Sequence, residues 1–375
     1  MVVTLLVAAT VLALLHLYFF AGKAGRIDYV YLLVLLIVMG LNSYNVDYTA
    51  YEHMYRGACD ATTLGEAMRV HQDRGYMLLN FLFSVTGLDF AIFRFILFSS
   101  LLVVVFVLAR LLDAPICVLY IAYMIYPMFM DIIQIRNFII SIIFLFSIYC
   151  YAHDNFKWDV LGILLMLIAV TIQPLALVYL LFIVFYKMYN SERFRKVTYI
   201  PIGVGLLSLL IKLLIDAYWK EITELLYQLA SAVSRGGGYV NDLLLTSIQL
   251  KIFLVVIILT WMLYKAKIRL AAMDCVTDLQ KRFVDLSFTA YVYMICWTPF
   301  FALNHNLATR LPRNLFLLAF ISLAIYMQKC TNGRKKWGML IFVVFLAFFF
   351  GLVDLYMSHQ RFNLDIIIDN NFLLN

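Results

Sequence analysis

One aspartate set among tyrosines and a late pair of arginines are the side chains of this sequence best suited to chemistry. In "NSYNVDYTAYEHMYRG", residues 42–57, Asp47 stands among Tyr44, Tyr48, Tyr51 and Tyr55, directly behind an apolar run that ends near Leu41. In a helix the tyrosines would share one face, with Asp47 and Tyr51 as four-residue neighbours. A membrane-interface belt accounts for the tyrosines. It does not account for the carboxylate, which taken alone reads as a solvated boundary acid. In "NHNLATRLPRN", residues 304–314, Arg310 and Arg313 lie three positions apart. Guanidinium groups stay charged and make forked hydrogen bonds to phosphate. Together with Arg136 they can cradle a diphosphate, or else touch lipid headgroups.

The elements that must hold these residues are membrane helices. The chain has 375 residues, 65% hydrophobic and only 14% charged, a composition that excludes a soluble globule. Long apolar runs without alternation specify spanning helices and exclude a barrel. The first run, Val2 to Phe20, has no basic n-region and no cleavage site, so it is expected to remain as a helix. Six scattered cysteines give neither a disulfide framework nor a zinc site. No P-loop, GxSxG or HExxH stretch is present; no metal and no cofactor are expected. Basic residues recur in alternate loops, around Lys23, Arg110, Lys157, Lys187, Lys265 and Lys335, which puts those loops in the cytoplasm. The net charge of +7 is therefore a topology signal, and nucleic acid is not an expected partner.

Spans are expected near 2–20, 28–43, 88–109, 114–130, 136–152, 197–216, 248–264, 283–301, 313–328 and 337–356. The 76–86 stretch is too short to cross and is expected to dip into or lie along the outer leaflet. The 159–186 stretch starts and ends beside cytoplasmic lysines, so it must return. Two half-helices broken at Gln173-Pro174 satisfy that demand, since proline cannot donate and disfavours helix before it; the alternative is one kinked helix. Broken backbone at membrane depth has to line a cavity or be buried in protein, which makes Gln173 a cavity candidate. Residues 217–246 read as an amphipathic helix on the outer surface. The expected architecture is a single all-α integral membrane domain, residues 1–375, a polytopic bundle of about 10–12 transmembrane helices with a re-entrant hairpin. The outer end also collects Asp73, Arg94, Asp131, Gln134 and His305. Charges inside a membrane cost upward of about 2.5 kcal/mol, so they pair, face the interior or snorkel.

Five stretches, in order, resemble the marks of the EpsG family: "NVDYTAYEHMY", "QDRGYMLLNFL", "IQIRNFIISIIF", "IAVTIQPLALVYLL" and "ATRLPRNLFLL". These are Wzy-like polymerases of bacterial capsule, exopolysaccharide and O-antigen pathways, and a GT-C-like arrangement is compatible with them. Each piece is short, so order and spacing carry the resemblance. Asp47, Tyr48 and Tyr51 match the first external motif; Asp73, Gly75 and Tyr76 match an acid-x-Gly-aromatic motif. Arg136 and Asn137 match an Arg-Gln pair, and Arg310 matches a late arginine. Two departures stand out. The second motif usually carries glutamate, and the hairpin break usually carries histidine where this chain has Gln173, which can hydrogen-bond a sugar but cannot act as a base near neutral pH.

The resemblance implies glycosyl transfer from a glycan on undecaprenyl diphosphate to a lipid-linked repeat unit. The reaction would sit on the periplasmic or exterior face of the bacterial inner (cell) membrane. Implied partners are the undecaprenyl-diphosphate-linked oligosaccharide, membrane lipids, and flippase and chain-length regulator proteins. For that chemistry Asp47 is the first choice of base and Asp73 the reserve, with Arg136, Arg310 and Arg313 as the leaving-group clamp. Tyr48, Tyr51 and Tyr76 offer faces and hydroxyls to sugar rings, and Asn137, Gln173 and His305 offer polar contacts. A transporter or flippase of the same lipid would use a similar cationic cavity, though without the repeat symmetry such proteins display. A polysaccharide acyltransferase would rely on histidine, which is sparse here.

Overall fold

The computed structural model describes residues 1–191, 203, 207, 240–297, 305–330, 333–357 and 364–374. In chain order the helices are α1 (Val2–Phe20), α2 (Asp28–Leu35) prolonged by a π turn (Leu36–Gly40), α3 (Tyr48–Cys59), α4 (Leu64–Val70), α5 (Arg74–Ser84), α6 (Phe90–Leu111), α7 (Ile116–Ile125), α8 (Met128–Ile133), α9 (Ile135–Ala152), α10 (Phe156–Ile172), α11 (Ala176–Asn190), α12 (Val240–Ala271), α13 (Asp278–Cys296), α14 (His305–Arg313), α15 (Phe316–Lys329), α16 (Gly333–Met357) and α17 (Leu364–Asp369). Among the described residues the extended pairing is an isolated bridge, Asn42 with Asn371.

Five stretches are long and apolar enough to cross a membrane, namely Val2–Phe20, Phe90–Leu111, Ile135–Ala152, Thr309–Lys329 and Gly333–Asp354, with shorter apolar helices beside them. The protein is an all-α polytopic membrane protein. Its centre is set by Ile135–Ala152 and Thr309–Lys329, which are 78% and 94% buried, against 33%, 39% and 44% for the other three. Those three turn much of their apolar surface outward, as helices facing lipid do.

Several boundaries follow local chemistry that a hydropathy reading misses. The expected 114–130 span is broken, because Pro127 follows Ile125 and Tyr126 and disfavours helix in the residue before it, so α7 stops and α8 restarts. Helix α13 begins at Asp278, ahead of the expected residue 283, because Thr277 and Gln280 close a capping box there. The expected span at 197–216 and surface helix at 217–246 lie outside the described residues, apart from 203, 207 and the start of α12.

The 159–186 stretch is a helical hairpin and not one kinked helix. Gln173, at φ −155° and ψ 126°, is extended before Pro174 and separates α10 from α11. Asp154, Asp159, Lys187 and Asn190 line one cavity, so both ends of the hairpin return to the same end of the bundle.

The basic loops converge on that end. Arg110 pairs with Asp28 at 3.4 Å, Lys329 with Asp113 at 2.9 Å and Arg282 with Asp154 at 2.8 Å. Lys336 reaches the Ala21 carbonyl at 2.9 Å. His16 is a satisfied buried histidine in this region, 2.9 Å from the Lys23 carbonyl oxygen. At the opposite end, α3, α4 and α5 form a layer of helices of 12, 7 and 11 residues, each too short to cross. Tyr51 and Tyr55 on α3 are buried, and Tyr55 donates to the Leu88 carbonyl at 2.8 Å. They pack inward and are not a lipid-facing belt; Tyr44, ahead of the helix, is the exposed member of the set.

Candidate functional site

Asp47 sits at the N-cap of α3, half-buried, where its backbone N–H donates to the Asn45 side-chain carbonyl at 3.1 Å. One turn on, Tyr51 turns inward. The Arg136 guanidinium lies 5.6 Å from the centre of the Tyr51 ring, and Tyr76 meets the same ring edge-on at 5.7 Å. Burial holds the Tyr51 hydroxyl above the ordinary phenol range, with Arg136 pulling the other way. It is therefore a protonated donor at neutral pH. Asp47 and Arg136 both act on Tyr51 electrostatically, and Arg310, reaching in from α14, feels Asp47, Tyr51, Arg136 and Arg313.

Arg136, at the start of α9, is paired with Asp73, the N-cap of α5. The carboxylate is 4% exposed and the guanidinium 22%, so the pair is anchored on the acid side and open on the arginine side. Asp73 thereby aims Arg136 and is poorly placed to serve as a reserve base. His71 completes this corner. Its Nδ1 accepts the Asp73 amide hydrogen at 3.1 Å, so the neutral ring carries its proton on Nε2. Although Nδ1 is also 3.5 Å from the Asp73 carboxylate, burial and then the Arg136 charge push this imidazole below its ordinary range, so the contact is not an ion pair at neutral pH.

Helix α5 is pressed onto the hairpin break. A Cβ added at Gly75 would stand 2.8 Å from the Thr171 carbonyl carbon and 2.9 Å from the Ile172 nitrogen. Only glycine permits this approach. It brings Gln173 beside the end of α5 that carries Asp73 and Tyr76. Tyr76 Oη, Arg136 Nε, Asn137 Oδ1 and Gln173 Oε1 are all buried and find no hydrogen-bond partner among the described residues.

Arg313 differs from the expectation. It does not share the mouth with Arg310. It is 1% exposed, pairs with Asp354 at 3.4 Å and donates to Gln134, whose side-chain oxygen also takes the Asn137 amide. Three-residue spacing puts the two side chains on neighbouring positions of one helix face, so it is the partners of Arg313, Asp354 and Gln134, that draw its guanidinium into the core. Asp354 also accepts the Tyr126 hydroxyl at 2.7 Å, and Asp131 accepts that of Tyr123 at 2.9 Å. Tyr48 and Phe98 flank Arg94, at 5.4 and 5.1 Å from the ring centres. The His305 side chain lies outside the described residues.

Sequence reasoning missed His71, Asp354 and Asn42. Asp354 carried a usable signal, a lone acid in the last apolar span. His71 carried only its position two residues before Asp73, and Asn42 carried none.

The helical bundle defines a polytopic membrane protein, with Asp47, Tyr51, Arg136 and Asp73 brought together at the end opposite its basic loops. The EpsG family model matches residues 26–366. The chain belongs to the EpsG family, which places it in polysaccharide biosynthesis. No curated protein and no solved structure matches it.

Proposed function

We propose that the protein polymerises lipid-linked oligosaccharide repeat units at the outer face of the bacterial cell membrane. The donor is a glycan on undecaprenyl diphosphate and the acceptor a hydroxyl of a lipid-linked repeat unit. The acceptor oxygen bonds to the anomeric carbon as the bond from that carbon to the diphosphate oxygen breaks. The hydroxyl proton passes to Asp47, and the electron pair leaves with the diphosphate. The observation that carries this reading is Arg136, anchored by Asp73, over the ring of Tyr51, with Asp47 and Arg310 both within electrostatic reach of that tyrosine. A carboxylate beside two cations provides what the reaction needs: a proton acceptor, and donors for a departing dianion. A positioned base contributes about 10²–10⁴-fold, and each preorganised charge donor about 3–4 kcal/mol.

Half-buried Tyr48 offers a ring face to sugars and half-buried Gln173 a hydrogen bond, while buried Tyr51, Tyr76 and Asn137 back the site. Arg313 supports the site from behind through Gln134, and its charge adds to the field at Arg310. The orientation rests on the basic loops, which gather at the end opposite the site.

A deletion strain tests this. The expected glycan profile is loss of long chains, with single repeat units still exported and capping the acceptor. Accumulation of unexported lipid-linked repeat units would instead mark a transporter, and full-length chains lacking an acyl group would mark an acyltransferase.

A further inference from the structure

The loop that ends in Asp47 is tied to the far end of the chain. Residues 370–372 run antiparallel to residues 41–43. The Phe372 amide donates to the Leu41 carbonyl at 2.9 Å and the Ser43 amide to the Asn370 carbonyl at 3.0 Å. Between these bonds lies the Asn42–Asn371 bridge. Asn371 donates its side-chain amide at 2.9 Å to the carbonyl of Ile37, inside the π turn. The same carbonyl also accepts the Leu41 amide at 3.3 Å, so Asn371 ties the strap to the last turn of this helix.

Asn42 is the hub. Its Nδ2 donates to the carbonyls of Ile367 at 3.2 Å and Asn370 at 2.9 Å. Its Oδ1 accepts from Arg94 at 3.2 Å and from Asn45 Nδ2 at 3.0 Å. Its own carbonyl takes the second nitrogen of the Arg94 fork. Asn45 then accepts the Asp47 amide hydrogen at 3.1 Å. Asn42, Asn45, Asn371 and Arg94 are each 1% exposed. A continuous run of buried amides thus joins the C-terminal segment to the backbone at Asp47. Terminal segments fray unless something holds them, and buried polar networks rigidify when their members are satisfied. Residues 367–374 lie beyond the 26–366 stretch that the family model matches.

We propose that residues 366–374 form a strap that sets the position of Asp47, with Asn42, Asn45 and Asn371 as positioning residues. This rests on Asp47 acting as the base. The strap acts on turnover and leaves substrate affinity alone, since the Asn371 and Asn45 side chains engage the Ile37 carbonyl, the Leu373 and Asp47 amides and Asn42, and no residue assigned to sugar or diphosphate.

The test is Asn371→Ala in the full chain, read two ways. Hydrogen exchange of the peptide spanning 41–47 is expected to accelerate, and polymerisation turnover to fall roughly ten- to a hundredfold with KM for the lipid-linked acceptor unchanged. Adding Leu41→Cys and Phe372→Cys places two thiols on opposed residues of an antiparallel pair, a spacing that a disulfide bridges. Oxidation of that variant is expected to restore turnover, and reductant to remove it again. Asn45→Ala, which cuts only the last link, is expected to lower turnover in the same way and serves if Asn371→Ala does not assemble. Unchanged exchange, wild-type turnover despite faster exchange, or a formed crosslink that restores nothing would each overturn the strap. If the wild-type protein makes no polymer, the reading of the site fails, while the exchange experiment still decides whether the strap holds the loop.

Discussion

Gly75→Ala should damage the site without touching a single charged group. The added Cβ would meet the Thr171 carbonyl carbon at 2.8 Å and the Ile172 nitrogen at 2.9 Å, where ordinary contact begins near 3.4 Å. Both atoms are backbone and cannot rotate away, so α5 and α10 must separate by about 0.5 Å, and overpacking of this kind costs roughly 1–3 kcal/mol. Alanine is the better helix former by at most about 1 kcal/mol, so the net change is destabilising. The larger effect falls on turnover. The N-cap of α5 is Asp73, which aims Arg136, and the atoms pushed away lead directly into Gln173. A misplacement near 1 Å costs on the order of 10²-fold, so a shift of half that size is expected to cost roughly tenfold. The assays are thermal unfolding in detergent and initial polymerisation rate at matched amounts of folded protein. Thr171→Ala should not rescue the variant, because the backbone contacts remain. A Gly75→Ala protein as stable and as active as wild type would refute the proposal that this approach positions the site.

Two further outcomes follow from the charge network. Asp354→Ala leaves Arg313 buried without its counter-ion and takes the acceptor from Tyr126, so thermal unfolding should show a loss of roughly 3–5 kcal/mol. Replacing Arg313 and Asp354 together by Met and Leu should recover much of it; a milder single variant would mean the pair is solvated. His71 supplies a pH dependence. Its folded value lies below the ordinary 6.5, so the unfolded chain binds more protons. Its contribution to stability is complete above the ordinary value and declines as pH falls through 6.5 toward the lower folded value. His71→Gln should flatten that acid-side decline in thermal stability, and parallel profiles for the two proteins would contradict the assignment.

The membrane class and the hairpin break were legible in the sequence because each has a local cause. Apolar length, loop charge and a proline act over a few residues. What escaped depended on rotation or on distance along the chain. Arg310 and Arg313 look like one clamp at three-residue spacing, yet Arg313 is buried against Asp354 of a different helix. The tyrosines were equally compatible with a lipid-facing belt until Tyr51 met Arg136 and Tyr76. Asp73 read as an available acid because nothing nearby in sequence reveals that Arg136 occupies it. The Asn42 hub joins partners at opposite ends of the chain, and no pattern in either segment announces the other.

The most direct test of the account is the rate of polymer formation by the purified protein, in lipid, from a synthetic lipid-diphosphate-linked repeat unit, compared with Asp47→Asn at equal folded amounts. Wild type should extend the unit into a ladder of chains, and Asp47→Asn should do so about 10²–10⁴-fold more slowly while remaining folded. A ladder made by Asp47→Asn at the wild-type rate would contradict the assignment of the base. No ladder from the wild-type protein would contradict the proposed reaction itself.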